Sequence, residues 1–216
     1  MNEPQHLTAH GWIFRWQPAQ KTPERLLLLV HGLTGDENAM WMLVRNLSAS
    51  YSILAPRAPY SAQEGGYTWR RANLNPEGFP SDDDLQPAAE ALINFLDEWM
   101  ESVGMEPQPF DVMGFSQGAA MAYLLSLHYP ARVRKLAALS GFLPEGLVEP
   151  AGNVLKGKQI FVSHGHQDEM VPVERARGAV AQLKAWGAEV TYCESDAAHK
   201  VNKDCLRAME KFFEEN

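Results

Sequence analysis

The pentapeptide Gly114-Phe115-Ser116-Gln117-Gly118 lies between an apolar run at 109–113 and a helical apolar stretch at 119–127. No other feature of the chain restricts its fold as much. A backbone that turns from strand into helix over so few residues tolerates only small neighbours on each side of the bend. The central residue is forced into a strained conformation. Its hydroxyl then stands exposed at a helix N-terminus, where backbone N–H groups face any developing negative charge. Ser116 is therefore a candidate nucleophile, if a base and a carboxylate can be found for it.

Around this turn, strand-forming apolar runs recur at Leu26–Val30, Tyr51–Leu54, Phe110–Met113, Lys135–Leu139, Gln159–Val162 and Val190–Cys193. Nearly continuous apolar runs are what parallel strands covered on both faces require. Helical patterns fall between them at Glu37–Leu47, Pro87–Val103, Val173–Trp186 and Lys203–Phe213. Leu92, Phe95, Leu96 and Trp99 share one face of the second, and Leu206, Met209, Phe212 and Phe213 stripe the last. Thr8–Trp16 can add an edge strand. The alternation predicts one α/β domain over 1–216, with a largely parallel central sheet, helices on both faces and no large lid domain. Two irregular stretches, 59–84 and 141–158, are candidates to border a binding site.

Charge and cysteine content narrow the function classes. A net charge of -8 over 216 residues argues against nucleic acid or an anionic membrane surface as a main partner. No apolar run reaches the length of a membrane span, and the first residues lack a signal-peptide pattern. Cys193 and Cys205 are too few for a disulfide framework and have no metal-ligand spacing, which predicts a reduced, cytoplasmic protein without a metal. Oligomeric state is not readable from the chain.

A serine nucleophile needs a base, and the base an orienting carboxylate, on loops beyond the carboxyl ends of the strands. Where the nucleophile sits on a strand–Ser–helix turn, the chain order is Ser, acid, His. Only His128, His164, His166 and His199 follow Ser116. His128 lies near a helix end, suited to a cap or to solvent. Asp168 lies just past the Gln159–Val162 run and is the acid candidate, which leaves His199 as the histidine downstream of it. For the oxyanion, the glycine turn His31-Gly32-Leu33-Thr34-Gly35 can supply the N–H of Leu33 beside that of Gln117. His31 is expected to bond nearby backbone and shape that turn.

With these residues in view, a resemblance is evident. Leu29–Asp36, Gly114–Gly118, Leu139-Ser140-Gly141, His164–Pro172 and Ala198-His199 occur in the order seen in the phospholipase/carboxylesterase family, small serine esterases that include the acyl-protein thioesterases. The resemblance spans about residues 25–213. It implies an α/β-hydrolase fold, no cofactor, and hydrolysis of carboxylic ester or thioester bonds of small or acyl substrates. It also implies a Ser116–Asp168–His199 triad and an oxyanion hole from Leu33 and Gln117. The chain departs from the family pattern at Ala198, where Gly is usual, at the inserted Thr34, and over 59–84. Trp69, Phe142, Leu143 and Met170 are candidates for an apolar substrate pocket. Competing readings are a slow or non-catalytic ligand receptor on the same fold, or a lipase- or peptidase-like hydrolase.

Overall fold

Ten strands and four α-helices alternate along the computed structural model, which describes residues 4–22, 24–47, 49–71, 78–148 and 151–215. The strands are β1 (Gln5–Ala9), β2 (Trp12–Gln17), β3 (Arg25–Val30), β4 (Tyr51–Pro56), β5 (Tyr60–Ser61), β6 (Tyr67–Thr68), β7 (Phe110–Phe115), β8 (Val133–Leu139), β9 (Gln159–Gly165) and β10 (Glu189–Ser195). The helices are α1 (Asp82–Ser102), α2 (Gln117–His128), α3 (Val173–Ala185) and α4 (Lys203–Glu214). Eight strands form one sheet in the order β1-β2-β4-β3-β7-β8-β9-β10, parallel from β4 to β10. The antiparallel β1–β2 hairpin adds the other edge.

Strand side chains alternate between the two faces. Leu26, Leu28, Val30, Val112, Leu136 and Ile160 pack with α1, α2 and α3. Leu27, Leu29, Met113, Ala137 and Phe161 face the other way, toward Met209, Phe212 and Phe213 of α4. Helix α2 is buried from Gln117 to Ser126, as its uniformly apolar sequence demands. The register pairs Val30 with Gly114, Phe115 with Leu139, Leu139 with Ser163, and Gly165 with Ser195. The segments that follow β3, β7, β9 and β10 therefore leave the same edge of the sheet.

Three local expectations change. Residues 37–47 do not form a helix but turns and a short 3-10 segment at Trp41–Leu43. Asp36 accepts from the Asn38 N–H, and Glu37 turns inward to bond Arg57, so the first turn is spent on side-chain contacts. Helix α1 starts before Pro87, because Ser81 and Asp84 form a capping box with Asp82 and Asp83 in the first turn. Thr8–Trp16 is a hairpin rather than one strand, turning at His10 and Gly11, both at positive φ (50° and 78°).

A buried ion cluster holds the end of α4 at the edge of the sheet opposite the glycine turns. Asp111 is fully buried and accepts from Tyr51 Oη (2.6 Å), Arg134 Nε (2.9 Å), Arg134 Nη2 (2.6 Å) and the Lys135 N–H (3.2 Å). Arg25 lies 3.5 Å away and donates to the Phe213 carbonyl, while Lys135 Nζ donates to the carbonyls of Phe212 and Glu215. These carbonyls belong to the last turn of α4, where a helix leaves acceptors unpaired and favours cations.

The cysteines overturn the expectation of a reduced pair: Cys193 in β10 and Cys205 in α4 are joined by a disulfide. The bond brackets the segment that carries His199. Closing a loop with a sequence separation of 12 is worth about 3 kcal/mol. Cys205→Ser is expected to lower Tm by roughly 6–12 °C, read by thermal unfolding without reductant. Alkylation of the unreduced, denatured protein should leave both cysteines unmodified; two alkylated thiols would show the bond absent.

Candidate active site

Ser116 sits at the bend between β7 and α2 with φ 54° and ψ −118°, a region that residues other than glycine avoid. The flanking glycines are required by close approach. A Cβ at Gly114 would stand 2.0 Å from the Gly118 carbonyl oxygen, and one at Gly118 would stand 2.0 Å from that of Val30. The turn after β3 lies directly beside this bend: a Cβ at Gly32 would meet Ser116 Cβ at 3.2 Å.

That turn is held from beneath by His31, which is buried. Its Nδ1 donates to the Gly32 carbonyl at 2.7 Å and its Nε2 accepts from the Ala58 N–H at 3.0 Å, which fixes the tautomer. Burial holds its pKa below the ordinary value despite the Gly32 bond. His31 is thus a structural histidine, as its sequence context suggested. Thr34 takes positive φ (64°) and donates its N–H to the Tyr67 carbonyl, docking the turn on the β5–β6 hairpin. Glu37 braces the same region through a bidentate bond to Arg57, whose guanidinium lies over the Tyr67 ring. Burial works against the Glu37 charge, yet bonds from Arg57 and His6 hold its pKa at about 2.

Asp168 and His199 meet across the loops that leave β9 and β10. The Asp168 side chain is fully buried; its Oδ1 accepts the N–H groups of Met170 (3.0 Å) and Val171 (2.9 Å), and its Oδ2 lies 2.7 Å from His199 Nδ1. The two loops are fastened by Gln167 N–H to the Ala197 carbonyl and His166 N–H to the Ser195 carbonyl. Gly165 permits this approach, since a Cβ there would stand 2.1 Å from the Ala197 carbonyl oxygen. The Phe115 ring, next to Ser116, lies 5.0 Å from the His199 ring. Among the described residues no hydrogen bond links the Ser116 hydroxyl to His199; in free hydrolases such bonds are commonly long and tighten on substrate. His128 instead pairs with Asp82 at 2.9 Å.

The Leu33 and Gln117 N–H groups have no backbone acceptor among the described residues. The Gln117 side chain has a role that the sequence did not reveal. Its Oε1 accepts from the Trp69 N–H (3.0 Å) and lies 3.1 Å from Thr68 Oγ1, tying α2 to the end of β6.

The four residues expected to form an apolar pocket do not all line one cavity among the described residues. Trp69 has no exposed surface; its indole N–H donates to the His31 carbonyl and its ring packs near Trp12. Phe142 packs against Phe79 and, with Leu143, lines a separate cavity beside α3, while the Met170 side chain is exposed. The cavity beside the Leu33–Thr34 turn is instead small, about 130 Å³, with a mixed lining that includes Leu33, Ala62, Thr68 and Arg70. Among the described residues no group of His, Cys, Asp and Glu could hold a metal ion, and no helix is long and apolar enough to cross a membrane.

The sequence pattern of the Phospholipase/Carboxylesterase family matches residues 13–216. The chain belongs to this family. It is 28% identical over 178 residues to an acyl-protein thioesterase 1 of Kluyveromyces lactis, covering 73% of this chain and 74% of that one. It is equally 28% identical over 206 residues to a probable carboxylesterase of Oryza sativa, covering 87% and 76%. The fold matches the carboxylesterase of Mesorhizobium loti with a TM-score of 0.84 at 23% identity, each chain fully covered. The Bacillus cereus carboxylesterase gives 0.84 at 22%, covering 95% of this chain and 94% of that one. This family member is a carboxylesterase-like hydrolase with the α/β-hydrolase fold.

Proposed function

We propose that this hydrolase cleaves carboxylic esters through an acyl-enzyme on Ser116, with His199 as base and Asp168 as its orienting acid. The observation that carries this reading is the 2.7 Å bond between His199 and the buried Asp168 on loops adjoining the Ser116 bend. His199 takes the Ser116 proton as the oxygen attacks the ester carbonyl, and Asp168 holds the imidazole and stabilises its charged form. The Leu33 and Gln117 N–H groups receive the oxyanion, each contributing on the order of 3 kcal/mol to the transition state. His199 then protonates the leaving alcohol and activates the water that frees the acid. No step calls for a cofactor.

The small cavity beside Leu33 favours short esters over long-chain acyl groups. Against p-nitrophenyl acetate, butyrate and octanoate, kcat/KM is expected to be lowest for octanoate. A matched thioester series decides between the two bond types. The primary test is labelling with a fluorophosphonate probe followed by peptide mapping. Modification of Ser116 is the expected result, and a fully active, unlabelled protein would refute the mechanism.

A further inference from the structure

Asp168 has a second histidine. His164, the penultimate residue of β9, is buried, with Nε2 2.8 Å from the Val171 carbonyl oxygen and 3.4 Å from Asp168 Oδ2. A carbonyl can only accept, so Nε2 carries the proton. Nδ1 is sealed from solvent and has no hydrogen-bond partner among the described residues. A buried acceptor left unpaired is a net cost, and an apolar side chain of similar size would avoid it. What the imidazole supplies in return is closure of a ring. His164 Nε2–H holds the Val171 carbonyl, the N–H of Val171 holds Asp168 Oδ1, and the same Nε2 lies 3.4 Å from Oδ2, the oxygen that meets His199.

We propose that His164 is a positioning residue for the triad acid, its Nε2–H fixing the Val171 peptide and the Asp168 carboxylate so that Oδ2 meets His199. This rests on the Asp168–His199 assignment above. The loop between β9 and α3 otherwise has few internal ties: the Asp168 N–H to Gly165 carbonyl bond and the two N–H bonds to Oδ1. Other ionisable side chains on the two loops do not compete for Asp168. His166 and Asp196 pair with each other at 3.2 Å, and Glu169 and Lys200 are exposed.

His164→Phe keeps bulk and removes the donor. It is expected to lower kcat on the order of 10-fold or more with KM within about twofold, because a misplaced acid affects chemistry rather than binding. Without the Nε2–H dipole 3.4 Å from Oδ2, the carboxylate charge bears more strongly on the His199 imidazolium, so the acid limb of kcat/KM should move to higher pH. His164→Gln, whose amide nitrogen can reach the Nε2 position, should restore both the limb and most of kcat. His164→Asn, whose amide falls short of Val171, should behave like His164→Phe and serves if the phenylalanine protein does not fold.

An unmoved acid limb in both donor-less variants, or a glutamine variant no better than phenylalanine, would overturn the assignment. Amide exchange of Met170 and Val171 should quicken about 10-fold in the donor-less variants, a readout that needs no turnover. Ser116→Ala measured alongside reports separately on the hydrolase mechanism: wild-type turnover in that variant would sink the mechanism, while the exchange result still judges His164.

Discussion

Ser116→Ala is expected to lose at least about 10⁴-fold in kcat while melting close to the wild-type temperature. In serine hydrolases removal of the nucleophile costs on the order of 10⁶, with the residual rate supplied by the oxyanion donors and by binding. Alanine leaves the backbone problem unchanged, because it too carries a Cβ at φ 54°. Ser116→Gly separates the two roles of this position. Glycine occupies that region freely, and the strain relieved is of order 1–3 kcal/mol. The added freedom of the unfolded chain offsets part of this gain. The glycine variant should therefore be about 1 kcal/mol more stable than wild type and equally inactive. Steady-state hydrolysis of a p-nitrophenyl ester and thermal unfolding on the same preparations check both halves. A more stable but inactive variant is the signature of a strained catalytic position; one that is less stable would mean that the hydroxyl holds the bend together.

Much of this site could be read from the chain because its parts are local. The Gly114–Gly118 bend follows a continuous apolar run, and chain order alone left His199 as the histidine after Asp168. The strands at 26–30, 110–113 and 159–162 were equally plain, since burial on both faces keeps them mostly apolar, with Asp111 an interruption that Tyr51 and Arg134 satisfy. What escaped depends on which loops the sheet order brings together. Nothing in the spacing of Cys193 and Cys205 says that α4 folds back along β10. His164 reads as one of the histidines just past the Gln159–Val162 run; only the fold shows it buried in β9 under the loop that carries Asp168. Trp69 reads as a candidate for an apolar substrate pocket; in the fold its indole N–H finds the His31 carbonyl, which permits complete burial. Met40, Val44 and Leu47 keep helical spacing without a helix, because Glu37 is drawn into the Arg57 pair.

The largest stability effect is expected far from the nucleophile, at Asp111. Its carboxylate is the buried acceptor for Tyr51 and Arg134, with Arg25 at 3.5 Å. Asp111→Ala would leave Tyr51, Arg25 and the partly exposed Arg134 without their shared carboxylate. Removing one partner of a buried ionic cluster costs about 3–5 kcal/mol, since the remaining charges are no longer compensated. For a chain of this size that is a fall in Tm of roughly 6–20 °C. Tyr51→Phe removes one neutral donor and should cost about 1 kcal/mol, so the two variants differ by an amount that urea unfolding resolves. The loss reaches α4 directly, because Arg25 and Lys135 bind the carbonyls at its C-terminal end. The opposite end of that helix follows the His199 loop, where the Asn202 cap and the disulfide hold it independently. Well below its melting temperature Asp111→Ala should accordingly keep kcat within about threefold of wild type. A kcat loss as large as that of Ser116→Ala at full occupancy of the folded state would contradict this separation between the end of the sheet that anchors α4 and the end where the proposed nucleophile lies.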